Sequence, residues 1–217
     1  MTPTTAASQR PRRTQAQRRA NTRAALLSAA ARLLARHGYH DASLDAIAAE
    51  AGLSKGALYY TFSSKADLFL ALLEERLAGR LRDLTGPSSR SDAGGTPPAA
   101  AAQRMLRGFE RDPRWPPLFF EFVATCARHR LLRRHFTERF MRPGRAAITA
   151  MVQQRAAHTN LRLPIPADQV AVVVHALMNG MMLERLFDAE GAPAELVAWA
   201  LTTLERGMAA DAGEAGG

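Results

Sequence analysis

Between Ser54 and Lys65 the chain places two ammonium groups (Lys55, Lys65), two adjacent phenols (Tyr59, Tyr60) and two positions with little or no side chain (Gly56, Ala57). Ammonium and phenol groups are hydrogen-bond donors suited to phosphate oxygens and base edges. No acid, base or nucleophile accompanies them, so the chemistry they can do is binding. Adjacent helical residues point about 100° apart, so a small core takes at most one of two neighbouring tyrosines. The other must face outward. Ser43 and Ser54 stand just ahead of short apolar-periodic runs, where a hydroxyl caps a helix and a phosphate can meet the helix end.

Enzyme signatures are missing. The sequence has no phosphate-binding loop, no H-E-x-x-H and no dinucleotide fingerprint. Glu74 and Glu75 are adjacent, and Arg76 follows them. His129 and His135 are six apart, about 240° around a helix, which does not make a shared metal site. Cys126 is the lone cysteine, which excludes an internal disulfide and a Cys-rich zinc site; it reads as a buried, inert thiol. The chain is therefore expected to be a non-enzyme, with no cofactor and no metal.

The elements that must position these residues are helices. Val and Ile total ten residues against 43 Ala, too few β-branched residues for a sheet, so the expected class is all-α. Residues 1–16 are polar and basic, with two prolines, and read as a disordered arm. Residues 17–66 form one unit. Helix one carries Leu26, Ala30, Leu33, Leu34 and His37 on one face and stops at Gly38. Helix two opens at Ser43 and ends at Gly52, helix three runs from Lys55 to about Thr61, and Ser64-Lys65-Ala66-Asp67 reads as a capping box opening helix four, to about Leu84. The stretch SLDAIAAEAGLSKGALYYTF (43–62) is thus a helix-turn-helix: Leu44, Ile47, Leu58 and Phe62 face inward, and Ser54, Lys55, Ala57, Tyr59, Tyr60 and Lys65 face out.

Residues 85–98, TGPSSRSDAGGTPP, are a linker. A helical body spans 67–210, with later helices expected at 99–111, 115–129, 131–158, 167–188 and 194–209. Pro143-Gly144 should kink or split the third of these. No run of about 18 uninterrupted apolar residues occurs, because His175, Asn179, Glu184 and Arg185 break Val170–Phe187. The start has no apolar core of a secretory signal, so a cytoplasmic chain with no membrane partner is expected.

The net charge of +9 is unevenly spread. Residues 1–65 hold ten Lys/Arg against three Asp/Glu, or +7; the remaining 152 hold 19 against 17, or +2. A basic N-terminal third on a near-neutral body is the footprint of nucleic-acid binding.

The segment from Arg23 to Leu73 resembles the DNA-binding region of the TetR family of bacterial transcriptional regulators. LLSAAARLLARHGY (26–39) and the G-x-S-K-G-x-L-Y-Y-x-F-x-S-K pattern carry the resemblance. It implies an N-terminal three-helix DNA-binding domain and a C-terminal helical domain for ligand binding and dimerisation. It further implies a homodimer on a double-stranded DNA operator, released by a small-molecule effector. By position it assigns Lys55 to base reading, Gly56 to close backbone approach, Tyr59 and Tyr60 to backbone or base-methyl contacts, Lys65 to a phosphate, and Ser43 to a cap beside a phosphate. Ala57 stands where Thr or Ser is common, and Thr61 where His is frequent, which removes two groups that could touch DNA.

In the body, Phe109, Trp115, Phe119, Phe122, Phe140, Met151, Met178 and Met182 could line a pocket for a hydrophobic effector, with His175 and Asn179 as polar contacts. The same residues could equally be ordinary core. Val172, Ala176, Gly180, Leu183, Trp199 and Leu204 are expected at the dimer interface. The run Arg128, Arg130, Arg133, Arg134, Arg139, Arg142 and Arg145 leaves two readings open: a solvated surface, or a site for an acidic ligand or DNA near the domain junction. The competing function is a ligand-independent architectural DNA-binding protein, distinguished by indifference to any effector.

Overall fold

In the computed structural model, residues 14–85 and 98–214 are described. They form ten α-helices and one π-turn, and no strand occurs among them. The linker expected over 85–98 lies almost wholly outside the described residues; only its ends, Thr85 and Pro98, belong to flanking helices.

Helix α1 (Gln15–Asp41) starts earlier than its apolar period suggests. Thr14 accepts from the Gln17 N–H, and the Gln17 side chain accepts from the Thr14 N–H, a complete capping box. Thr14, Gln15 and Ala16, expected in the arm, are therefore the cap and first turn of α1, and the rest of the expected arm, residues 1–13, lies outside the described residues. Gly38 does interrupt α1, with φ +78°, although helical turns resume to Asp41. That left-handed residue resets the helical phase. His37, expected inside, is exposed, and Tyr39 is buried instead.

Helices α2 (Leu44–Glu50) and α3 (Lys55–Thr61) follow, joined through Gly52 at φ +66°. Ile47, Ala48, Leu58 and Phe62 are buried, Leu44 partly so, and α1 covers them. Helix α4 (Lys65–Thr85) carries half of the expected capping box. The Ser64 hydroxyl accepts from the Asp67 N–H at 3.0 Å, but the Asp67 carboxylate takes the N–H of Ser63 rather than that of Ser64.

The body comprises α5 (Pro98–Glu110), α6 (Trp115–Arg128), α7 (Arg130–Phe136), a π-turn (Thr137–Met141), α8 (Arg142–Thr159), α9 (Ala167–Phe187) and α10 (Ala194–Glu214). The single helix expected over 131–158 is split, upstream of Pro143. Proline has no N–H for the Arg139 carbonyl and its ring crowds that carbonyl. The backbone widens one turn earlier, where the Arg142 N–H reaches back five residues to the Thr137 carbonyl. Helix α10 outruns its expected end at 209 by five residues, in keeping with the helix-favouring Ala209, Ala210 and Ala212.

One core runs through both parts of the chain. Leu26, Leu34 and Phe62 belong to the same buried cluster as Phe69, Phe122, Val197 and Leu201. Its centre is aromatic: Phe69 and Phe122 rings lie 4.4 Å apart, Tyr39 and Phe122 5.0 Å, and Phe136 and Phe140 5.3 Å. Full burial of each such ring contributes about 1.5–3 kcal/mol. Helix α9, despite the four polar residues that break Val170–Phe187, is long and apolar enough by length and composition to cross a membrane, yet little of it is buried.

Candidate nucleic-acid interface and its coupling to the body

The outer face of α3 is set by its caps. The Ser54 hydroxyl accepts from the Ala57 N–H at 3.2 Å, as Ser43 does from Ala46 at 3.1 Å on α2. Each hydroxyl proton stays free to donate outward. Tyr59 and Tyr60 are 56% and 73% exposed, so neither serves the core. Beside them, α1 supplies cations that the sequence reading did not assign to this face. The Arg19 guanidinium lies 5.8 Å from the Tyr60 ring centre, and that of Arg23 5.0 Å from Phe62. Arg18, Arg19 and Arg23 line an open cleft with Ala57, Tyr60 and Thr61. Their spacing on one helical face was the available signal. Gly56 has open space, since a Cβ there would meet nothing closer than Ser54 Oγ at 3.9 Å. Packing within the chain does not require a glycine at that point.

Lys55 is exposed but engaged: its ammonium is paired with Asp45 of α2, which raises its pKa through that hydrogen bond. Reading a base would mean exchanging Asp45 for that base.

Lys65, expected to face out, points back instead. Its Nζ donates to the carbonyls of His40 and Ala42 at 2.9 and 3.0 Å and sits 4.9 Å from the Tyr39 ring centre. The end of a helix leaves carbonyls without partners, and a lysine at the start of α4 is within reach of them. Partial burial lowers its pKa. The geometry makes it a clamp between α1 and α4.

Two further clamps join this unit to the body. Glu121 of α6 accepts the N–H groups of Tyr39 and His40 at 2.8 and 2.9 Å, just past the Gly38 break. A Cβ at position 38 would come within 3.1 Å of the same carboxylate. Arg139, in the π-turn, binds Glu74 and Asp67 of α4. The hydrogen bond that Arg139 donates to Glu74 dominates in raising its pKa.

The structure brings Trp115, Phe119 and Phe122 together as buried core, with Phe140 against them and Met178 and Met182 in the same cluster. Trp115 also carries the Arg76 guanidinium 3.9 Å from its ring centre. Met151, His175 and Asn179 are half-buried; the Phe109 side chain lies outside the described residues. Asn179 donates to the His175 carbonyl at 2.9 Å. Burial, followed by the charge of Arg145, lowers the His175 pKa. The Arg145 Nε is itself buried with no hydrogen-bond partner among the described residues. Cys126 is buried, and burial pushes its thiol up to about 11.

Of the residues expected at a dimer interface, Val172, Ala176, Gly180, Leu183 and Trp199 are exposed on the single chain, and Leu204 is half-buried. With Phe187, 82% exposed, those on α9 form one continuous stripe at three- and four-residue spacing.

These features define a helix-turn-helix protein. Residues 26–72 match the model of the bacterial regulatory proteins, tetR family. Over 55 residues the chain is 47% identical to the HTH-type transcriptional activator FasR of Mycolicibacterium smegmatis, and over 52 residues 33% identical to the Fatty acid metabolism regulator protein of Bacillus subtilis. These alignments take in 25% and 24% of this chain, and only 25% and 27% of the respective relatives. The transcriptional regulator FadR from Bacillus subtilis, solved in complex with stearoyl-CoA, shares the fold with a TM-score of 0.65 at 13% identity, over 84% of this chain and 96% of that one. Residues 26–72 thus carry the sequence pattern of the tetR family of bacterial regulatory proteins, and the chain shares the fold of solved regulators.

Proposed function

We propose that the protein is a cytoplasmic, effector-responsive transcriptional repressor. It binds a palindromic operator as a homodimer and leaves it when a small molecule occupies the body. The observation that carries this reading is the outer face of α3: two exposed tyrosines beside an arginine-lined cleft, on a helix capped by Ser54. In the dimer two such helices enter successive major grooves about 34–36 Å apart. Ser43, Ser54, Tyr59 and Tyr60 take phosphates or base methyls, Gly56 and Ala57 allow close approach, and Lys55 reads a base after leaving Asp45.

The apolar stripe on α9 and the exposed Trp199 of α10 support a dimer in which Val172, Ala176, Gly180, Leu183 and Leu204 are covered by a second copy. A Cβ at Gly180 would meet nothing within 4 Å, so a mid-helix glycine, disfavoured by about 1 kcal/mol relative to Ala, finds its reason in close approach by a partner helix. That cover also accounts for the apolar excess of α9 without a membrane.

The effector we propose is an amphiphile with an apolar tail among Phe140, Met151, Met178 and Met182. Its acid group takes up the unpartnered Arg145 Nε beside His175 and Asn179. The name of the Fatty acid metabolism regulator protein of Bacillus subtilis, and the stearoyl-CoA held by FadR, support the same chemistry.

In vitro selection from random duplexes tests the function. An enriched inverted repeat, released by stearoyl-CoA, is the expected result. Equal retention of all sequences, unmoved by any acyl ligand, would establish the architectural alternative.

A further inference from the structure

We infer that the arginine-rich corner joining α6 to α7 is a second grip on the DNA backbone, outside the helix-turn-helix. This rests on the operator-binding reading above and extends its footprint.

Arg128, Arg130 and Arg133 are all exposed there. Arg134 is already paired with Glu138 at 2.9 Å, and Arg133 has one Nη on the Ala127 carbonyl at 3.2 Å. Among the described residues no carboxylate lies within ion-pair distance of Arg128 or Arg130. Stability accounts for them only in part: Arg128 and Arg133 sit in the last turns of α6 and α7, where cations suit the helix dipole, whereas Arg130 opens α7. Helix α7 has no acidic residue in its first turn and no side-chain cap, and arginine at the start of a helix opposes the dipole. Nor does Leu131, 66% exposed, anchor the corner to the core.

Position supplies the reason. His129 and His135 share an open cleft with Ser63 and Ser64, the residues that lead α3 into α4. Ser63 directly follows Phe62, the C-cap of α3. The corner therefore overhangs the trailing end of the helix proposed to lie in the major groove, where the phosphates bordering that groove pass. Three exposed guanidinium groups match this partner in charge, and they contact phosphate oxygens without reading sequence.

The test compares the full-length wild type with R128A/R130A/R133A on the selected operator, titrated at several salt concentrations. Each lost phosphate contact lowers the slope of log K against log[salt] by about 0.9. Two symmetric corners with at least one contact each thus lower it by about 1.8 or more. Sequence preference and thermal unfolding should stay as in the wild type, and R128K/R130K/R133K should restore most of the slope. An alanine variant that keeps the wild-type slope overturns the inference and leaves the operator reading intact. If the wild type binds no duplex, both fall together. An unchanged DNA slope with lost binding to phosphatidylglycerol vesicles would reassign the corner to lipid.

Discussion

Arg139 and Glu74 meet fork to fork, with Nε and Nη2 donating to the two carboxylate oxygens at 2.6 and 3.1 Å. The remaining Nη1 reaches Asp67 at 2.7 Å, and Asp67 in turn holds the N–H and hydroxyl of Ser63. One guanidinium thus ties the π-turn of the body to the first turns of α4. Burial alone would raise the Asp67 pKa, but the hydrogen bonds from Arg139 and Ser63 prevail and lower it. The clamp is therefore intact above the ordinary carboxylate range and is lost only as pH falls through that lowered value. Arg139→Gln should lower stability by roughly 1–2 kcal/mol, a value discounted for partial exposure. It should leave operator affinity within a few-fold and weaken release by effector. Wild-type release in an effector titration would remove this link from the coupling route.

Lys65→Met separates a clamp from a phosphate contact. Two carbonyls lose a charged donor, so denaturant unfolding should show a loss of roughly 1–3 kcal/mol. The salt slope of operator binding should stay constant. A slope reduced by about 0.9 with unchanged stability would return Lys65 to the DNA.

For the stripe on α9, substitutions with opposite signs are informative. Gly180→Ala should stabilise the single chain by up to about 1 kcal/mol, because Ala favours helix. The same change should weaken the dimer, since it thickens the contact. Leu183→Glu should yield monomer at micromolar concentration by sedimentation. Persistence of the dimer in both variants would place the interface elsewhere.

His175 carries a pH signature. Its folded pKa is depressed by burial, and further by Arg145, so the unfolded chain takes the proton first. Stability contributed by the neutral ring is fully present above the ordinary histidine value of about 6.5 and is lost as pH falls through the folded value. His175→Gln should flatten the fall in melting temperature between about pH 7 and pH 5. A fall as steep as that of the wild type would show that other groups govern it.

The helix-turn-helix was legible because its signals are local: Ser43 and Ser54 as caps, Gly52 as the turn, and apolar residues three and four apart. Outward-facing Tyr59 and Tyr60 followed from adjacency alone. Lys65 was not legible, because its partners at 40 and 42 are backbone carbonyls, which carry no mark in a sequence. The exchange of His37 for Tyr39 inside the core depended on the sign of one φ at Gly38. Arg139 was visible only as one member of an arginine run. Its three hydrogen bonds go to residues 65 and 72 positions away, a separation that periodicity does not span. Pro143 announced a break in the helix, but the strain came out one turn upstream.

That displaced break makes chain length, as well as side-chain identity, a determinant of signalling. A π-turn is one residue more than an α-helical turn accommodates. Deleting a single residue within 137–141 would let α7 and α8 fuse into an unbroken spiral. The flanking helices would stay nearly in phase, because the wide turn already absorbs that residue. A deletion just beyond it, at 142–144, would instead swing everything downstream by about 100° and about 1.5 Å along the axis. Arg139 and Arg145 could not both keep their present bearings, one toward α4 and the other toward α9. A one-codon deletion there would act as a phase slip between the body and the helix-turn-helix unit, with every side chain on the outer face of α3 left as it was.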